Sequence, residues 1–295
     1  MQRFTIPGSG GHLAGLNFGR AGGPIDAVYL HATGFNALTY RRLLQRLGSE
    51  RRVVAFDLRG HGHTTLPARP VKLTDWYGYA NDVVTAMRQL NEGHPPPRLI
   101  AGHSMGGTVS LLALAADQEI ARSLLMIDPA FLPPQLRRIF LLPFGPHLMR
   151  RRVPIARGAA RRRCEFPTSE AVLASYAGRG AFKTWQPGFL EDYIEDGFVR
   201  RADGAMVLRC APAWESATFT AHRHDLAAAL RALRVPAQVL LAEKGSITQR
   251  SLPTLRDCAP GMTLETIAGT THFLPMERPE LVIERMIAMM GDPPG

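Results

Sequence analysis

The heptapeptide Ala101-Gly102-His103-Ser104-Met105-Gly106-Gly107 stands between an apolar run at 97–101 and an alanine- and leucine-rich run at 108–115. The first is short enough for a buried strand and the second continues as a helix, so Ser104 falls at a strand-to-helix joint. Gly102 and Gly106 flank it at two-residue spacing, as a sharp turn requires where a Cβ would strike neighbouring backbone, and Gly107 permits close helix packing. The turn pushes the hydroxyl outward and makes Ser104 the candidate nucleophile. The backbone N–H of Met105, at the helix N-terminus, is a candidate donor to a developing oxyanion. A serine hydroxyl is a poor nucleophile at neutral pH. The chemistry therefore needs a base, an acid to orient it and a second oxyanion donor from elsewhere in the chain.

The elements that must position these groups follow an α/β rhythm. Residues 4–6 and 13–18, separated by Gly8-Ser9-Gly10-Gly11, read as an antiparallel hairpin. Strands are expected near 26–30, 52–57, 98–102, 122–127, 237–242 and 262–267, with helices near 39–47, 74–91, 105–116, 247–258 and 279–290. This is an α/β fold with a mostly parallel sheet and helices on both faces. The interval from Asp128 to about Val235 is too long for one crossover, so a helical cap is expected there, inserted after the sixth strand. The expected division is a first core part over 1–130, the cap over 131–234 and a second core part over 235–295.

With these motifs in that order, the chain resembles the α/β-hydrolase family from about residue 25 to 290. Ala27-Val28-Tyr29-Leu30-His31-Ala32-Thr33-Gly34 is similar to the strand and loop that supply the family's second oxyanion donor, which by position is the N–H of Thr33. Ala32 stands where the family normally has glycine. Asp57-Leu58-Arg59-Gly60-His61-Gly62 is similar to a turn that fixes a loop in the family. His272 follows a late strand and Gly269, precedes the last helix and matches the family's histidine. It is the expected general base among ten histidines.

The acid departs from the family pattern, because Gly245 occupies the position after the late strand where an aspartate is usual. The resemblance leaves two replacements. Asp128 ends the strand before the cap, a position some members use. Glu243 lies two residues before the usual acid and has a longer side chain. With Asp128 chosen, the resemblance implies a Ser104-His272-Asp128 triad that hydrolyses a small or medium carboxylic ester, lactone or thioester through an acyl-enzyme. The same triad also serves C–C bond hydrolysis and cofactor-free peroxide or oxygen chemistry in this fold, and a ligand-binding or signalling member with weak catalysis is a further reading. A serine nucleophile disfavours epoxide hydrolysis and dehalogenation, which need a carboxylate there.

Composition fits one globular catalytic unit. The 295 residues are 45% hydrophobic and 20% charged, enough to bury one large core. The sequence shows no secretory signal and no apolar run of about 20 residues, so a cytoplasmic location without stable membrane insertion is expected. Cys164, Cys210 and Cys258 have no metal-ligand spacing and read as free thiols. No metal or organic cofactor is expected.

The net charge of +10 is uneven, with nine arginines and no carboxylate between 131 and 163. Three readings stand beside one another: a solvated face, a funnel for an anionic small-molecule substrate, or an amphipathic surface touching acidic lipid. Nucleic acid is not an expected partner, because no aromatics interleave the arginines. Trp185, Trp214 and Phe219 are candidates to line a substrate pocket.

Overall fold

The computed structural model describes residues 1–291; positions 292–295 of the expected second core part lie outside the described residues. Strands β1 (Gln2–Gly8) and β2 (Gly11–Phe18) form the opening hairpin, followed by β3 (Ala27–Leu30), α1 (Arg41–Leu47), β4 (Val53–Asp57), α2 (Tyr77–Leu90), β5 (Leu99–His103), α3 (Met105–Ala116) and β6 (Leu124–Ile127). Between β6 and the next long strand lie α4 (Pro134–Leu141), α5 (Gly145–Arg152), α6 (Pro154–Ala160), β7 (Glu165–Phe166), α7 (Ser169–Tyr176), α8 (Phe189–Gly197), β8 (Phe198–Arg200), β9 (Met206–Leu208), α9 (Pro212–Thr218) and α10 (Leu226–Ala232). The chain ends with β10 (Ala237–Lys244), α11 (Leu252–Cys258), β11 (Thr263–Thr271), α12 (Leu274–Glu277) and α13 (Pro279–Met290).

One eight-stranded sheet runs in the order β1-β2-β4-β3-β5-β6-β10-β11. The pairs β1–β2 and β2–β4 are antiparallel and all the others are parallel. Strands β3 to β6 are buried along their whole length, as parallel strands covered by helices on both faces must be. Alternation sorts their side chains into two cores. Val28, Val54, Ile100 and Met126 pack with helices α2, α3 and α10 on one face, while Tyr29, Ala55, Ala101 and Ile127 pack with α1 and α13 on the other. The chain passes from β3 outward to β4 and then back to β5, so β3 and β5 flank the point where the winding reverses. The crevice beyond strand ends at such a point is the general location of ligand sites in α/β sheets.

The segment between β6 and β10 is mostly helical. It contains a small antiparallel sheet in the order β7-β9-β8, pairing Phe166 with Met206 and Phe198 with Leu208. Strands of two or three residues are too short to show a period-two pattern. Strand β11 also runs further than expected, through Thr271. Its register with β10 shifts after Ala242–Ile267 and resumes at Lys244–Thr271, and Gly269 takes φ +76° inside the bulge. The glycine that read as the start of a loop instead bends a continuing strand. Among the described residues, no helix is long and apolar enough to cross a membrane.

The turn between β5 and α3 depends on two close approaches. A Cβ on Gly102 would be driven into the Gly106 carbonyl, and one on Gly106 into the Leu30 carbonyl at the end of β3. Gly106→Ala is expected to cost about 1–3 kcal/mol through overpacking. The measurement is the urea unfolding midpoint, and a midpoint equal to that of the parent would contradict this packing.

Candidate active site

Ser104 occupies the turn between β5 and α3 at φ 54° and ψ −117°. Only Ser104, Asp128 and Phe144 among the described non-glycine residues have positive φ. Such a conformation costs on the order of 1–3 kcal/mol and persists where the surroundings over-determine it. Here the Ser104 N–H donates to the Ile127 carbonyl at 2.9 Å, and its carbonyl accepts from the N–H groups of Thr108 and Ala130 at 3.2 Å each. Asp128 is locked in the same way, its N–H donating to the Leu240 carbonyl at 2.7 Å.

The structure brings together the three side chains singled out in the sequence. His272 Nε2 lies 3.0 Å from Ser104 Oγ, and His272 Nδ1 lies 2.5 Å from Asp128 Oδ2. Asp128 is fully buried, and its other oxygen accepts from the Ala242 N–H at 3.1 Å. Burial pushes the Asp128 carboxyl upward. The hydrogen bond and charge of His272, with the Ala242 N–H, more than offset this and hold it below the usual carboxylate range. An ionised Asp128 accepts the Nδ1 proton, which leaves Nε2 free to accept from the Ser104 hydroxyl.

Glu243 is held elsewhere. Its carboxylate accepts from the Gly269 N–H at 3.0 Å and so braces the β11 bulge that delivers His272. Gly245 lines the cavity beside Ser104. Glu277, which the sequence reading did not single out, also fixes this end of β11: its carboxylate accepts from Thr271 N at 2.7 Å and from Thr271 Oγ1 at 2.5 Å.

Thr33 lines the same cavity as Ser104 and His272, and Met105 is the first residue of α3. The loop carrying Thr33 is fixed on both sides of it. Ala32 N–H donates to the Tyr40 hydroxyl at 3.2 Å and Gly34 N–H to His61 Nε2 at 3.0 Å. Burial lowers His61 to about 4, so the ring stays neutral and keeps its acceptor nitrogen. Asp57 accepts from the N–H groups of Ala37 and His63 at 2.8 Å each, and Arg59 pairs with Asp82 at 2.6 Å. The turn around these two residues therefore fixes a loop, as expected.

Tyr40 and His103 form a contact that the sequence reading missed. His103 Nε2 lies 2.7 Å from the His272 carbonyl and His103 Nδ1 lies 2.8 Å from the Tyr40 hydroxyl. A carbonyl can only accept, so Nε2 carries the proton and Nδ1 accepts from Tyr40. Burial, reinforced by His272 nearby, lowers His103 to about 3 and keeps it neutral. One hydrogen-bonded chain thus runs from Ala32 through Tyr40 and His103 to the backbone of His272. The available signal was the position of His103 immediately before Ser104.

The cavity over Ser104 has a volume of about 540 Å³, within the range of small-molecule sites. Leu136, Ile139, Phe140, Ile155, Trp76 and Phe219 supply much of its wall, and no Lys, Arg, Asp or Glu is among the described lining residues. Of the three expected aromatics only Phe219 reaches it. Trp185 packs edge-on against Phe35 at 5.2 Å, and Trp214 Nε1 donates to the Arg59 carbonyl at 3.0 Å. None of the nine arginines of residues 131–163 lines the cavity. Arg137 pairs with Asp225 at 3.2 Å, Arg162 with Glu215 at 3.1 Å, and Arg150 donates to the Pro70 carbonyl.

Residues 27–285 match the model of the alpha/beta hydrolase family. The 2-(acetamidomethylene)succinate hydrolase of Mesorhizobium japonicum is 24% identical over 271 residues, covering 90% of this chain and 87% of that protein. The protein phosphatase methylesterase 1 of Mus musculus is 33% identical over 97 residues, a stretch that spans 32% of this chain and 24% of that protein. The crystal structure of an E-2-(acetamidomethylene)succinate hydrolase superposes with a TM-score of 0.78 at 21% identity, covering 98% of both chains. The sheet order, the strand-to-helix turn and the family match lead to one conclusion: this chain belongs to the alpha/beta hydrolase family and is a hydrolase of that fold.

Proposed function

We propose that the protein is a serine hydrolase that cleaves a small or medium carboxylic ester, or the related lactone or thioester, with an apolar acyl group. The observation that carries this reading is the hydrogen-bonded line Ser104–His272–Asp128, with separations of 3.0 Å and 2.5 Å. Ser104 Oγ attacks the substrate carbonyl carbon while its proton passes to His272 Nε2. The tetrahedral oxyanion accepts from the N–H groups of Thr33 and Met105. Asp128 stabilises the imidazolium, which then protonates the departing alkoxide or thiolate as its bond to carbon breaks. A water molecule gives its proton to His272 and attacks the acyl carbon. Collapse of the second intermediate returns the proton to Ser104 and releases the acid.

The acyl preference rests on the cavity. A carboxylate transferred into an uncharged apolar wall loses its hydration without gaining a partner, whereas methylenes are favoured there. His222 is the other histidine in the lining, and burial lowers it to about 4, so it supplies no charge near neutrality. The succinate named for the Mesorhizobium relative carries carboxylates; the uncharged lining supports a different substrate for this chain. The segment between β6 and β10 acts in this reading as a cap that sets acyl choice, since α4, α5 and α6 all contribute to the wall. The expected core and cap divisions at 130/131 and 234/235 belong to the same proposal. Cytoplasmic location agrees with the three free cysteines.

Labelling by a fluorophosphonate probe tests the nucleophile: Ser104→Ala is expected to abolish it, and undiminished labelling would refute the assignment. Asp128→Asn is expected to lower kcat on an activated ester by about 10⁴-fold, while Glu243→Gln retains parental kcat. The opposite ranking would move the acid to Glu243. For a series of straight-chain p-nitrophenyl esters, kcat/KM should rise about fourfold per added methylene until the cavity is filled. An ω-carboxylated ester of equal length should fall below its neutral counterpart; a preference for the carboxylated one would contradict the acyl assignment.

A further inference from the structure

Among the described residues, thirteen large apolar side chains are exposed, and seven of them lie between Leu136 and Ile155. They lie on α4, α5, the turn between them and the start of α6: Leu142 is 58% exposed, Phe144 79% and Ile155 57%. Val71, 68% exposed, joins this region because His147 and Arg150 hold the Val71 and Pro70 carbonyls. Phe144 holds its side chain out from a left-handed backbone conformation at φ 59°. A monomeric protein rarely leaves so many apolar side chains together in water without a use for them.

The same surface carries one sign of charge. No Asp or Glu occurs from Pro129 through Cys164. Arg137, Arg150, Arg162 and Arg163 are engaged within the fold, but Arg138, Arg151, Arg152 and Arg157 are exposed, and none of these last four pairs with a carboxylate among the described residues. Leu148, Arg151 and Arg152 stand at i, i+3 and i+4 on α5, so apolar and cationic side chains share one exposed helix face. An apolar strip bordered by guanidinium groups is complementary to a bilayer with acidic headgroups, where acyl chains receive the strip and phosphates receive the arginines.

The cavity borders this strip. Leu136, Ile139 and Ile155 both line the cavity and are exposed at the surface. We propose that the face formed by α4, α5 and α6 docks peripherally on a bilayer rich in acidic phospholipid and turns the cavity mouth toward the lipid. Docking itself follows from the surface alone. The orientation of the mouth as a substrate entrance rests on the reading of Ser104 as the nucleophile. An apolar ester dissolved in the bilayer would then enter an apolar cavity without crossing bulk water.

Co-sedimentation with vesicles tests the docking, using phosphatidylcholine alone and phosphatidylcholine with 30 mol% phosphatidylglycerol, of the order expected for acidic membranes. The full chain should partition onto the acidic vesicles and little onto the neutral ones, with binding falling as salt rises. Arg151→Gln with Arg152→Gln should weaken partitioning by about 25-fold, from roughly fivefold per arginine. Leu142→Ser with Phe144→Ser should weaken it by at least about tenfold. None of these four positions lines the cavity, so all variants should hydrolyse a water-soluble short-chain ester at the parental rate. Ser104→Ala should still bind vesicles, which separates failure of docking from failure of the hydrolase reading. Absence of binding, equal binding to both vesicles, or variants that bind like the parent would overturn the proposal. A dimer in sedimentation equilibrium that Phe144→Ser dissociates would also overturn it, by assigning the strip to a second copy of the chain.

Discussion

Backbone pressed against backbone is the constraint on which the site depends. With no Cβ at Gly102 or Gly106, α3 begins against the ends of β3 and β5, and the turn between the two glycines is tight. Ser104 therefore sits at φ 54°, held by the Ile127 carbonyl on one side and by two N–H groups on the other. Strain at this residue is balanced by the buried sheet around it, whose central strands are covered on both faces. The cost is local and the support is distributed.

The alternation of elements was legible because the buried parallel strands are continuous apolar runs and the intervening helices are long enough to show periodicity. Ser104 was legible because its flanking glycines encode a close approach directly. His272 was legible from its place after the last strand, although Gly269 belongs to a bulge within that strand and does not end it. Asp128 was chosen over Glu243 for its place at the tip of the strand before the inserted segment, although both lie near strand ends. In the folded chain Asp128 meets His272, whereas Glu243 holds the Gly269 amide.

What escaped the sequence reading shares one physical character: it depends on contacts between distant segments or on very short elements. Tyr40 and His103 are 63 positions apart, and Thr271 reaches Glu277 only because α12 folds back. The three-stranded sheet of the inserted segment has strands too short for a pattern. The arginine-rich block was visible as composition alone. Its division into engaged and solvent-facing side chains follows from the packing of α4 to α6 against residues 70–73 and 215–225.

The chain of hydrogen bonds from Ala32 through Tyr40 and His103 to His272 has a mechanical consequence. It ties the loop that carries Thr33 to the segment that carries the His272 imidazole, across the strand that precedes Ser104. A relative displacement of these two parts must lengthen or bend at least one of these hydrogen bonds, so the contacts that hold each part also resist a change in the spacing between them.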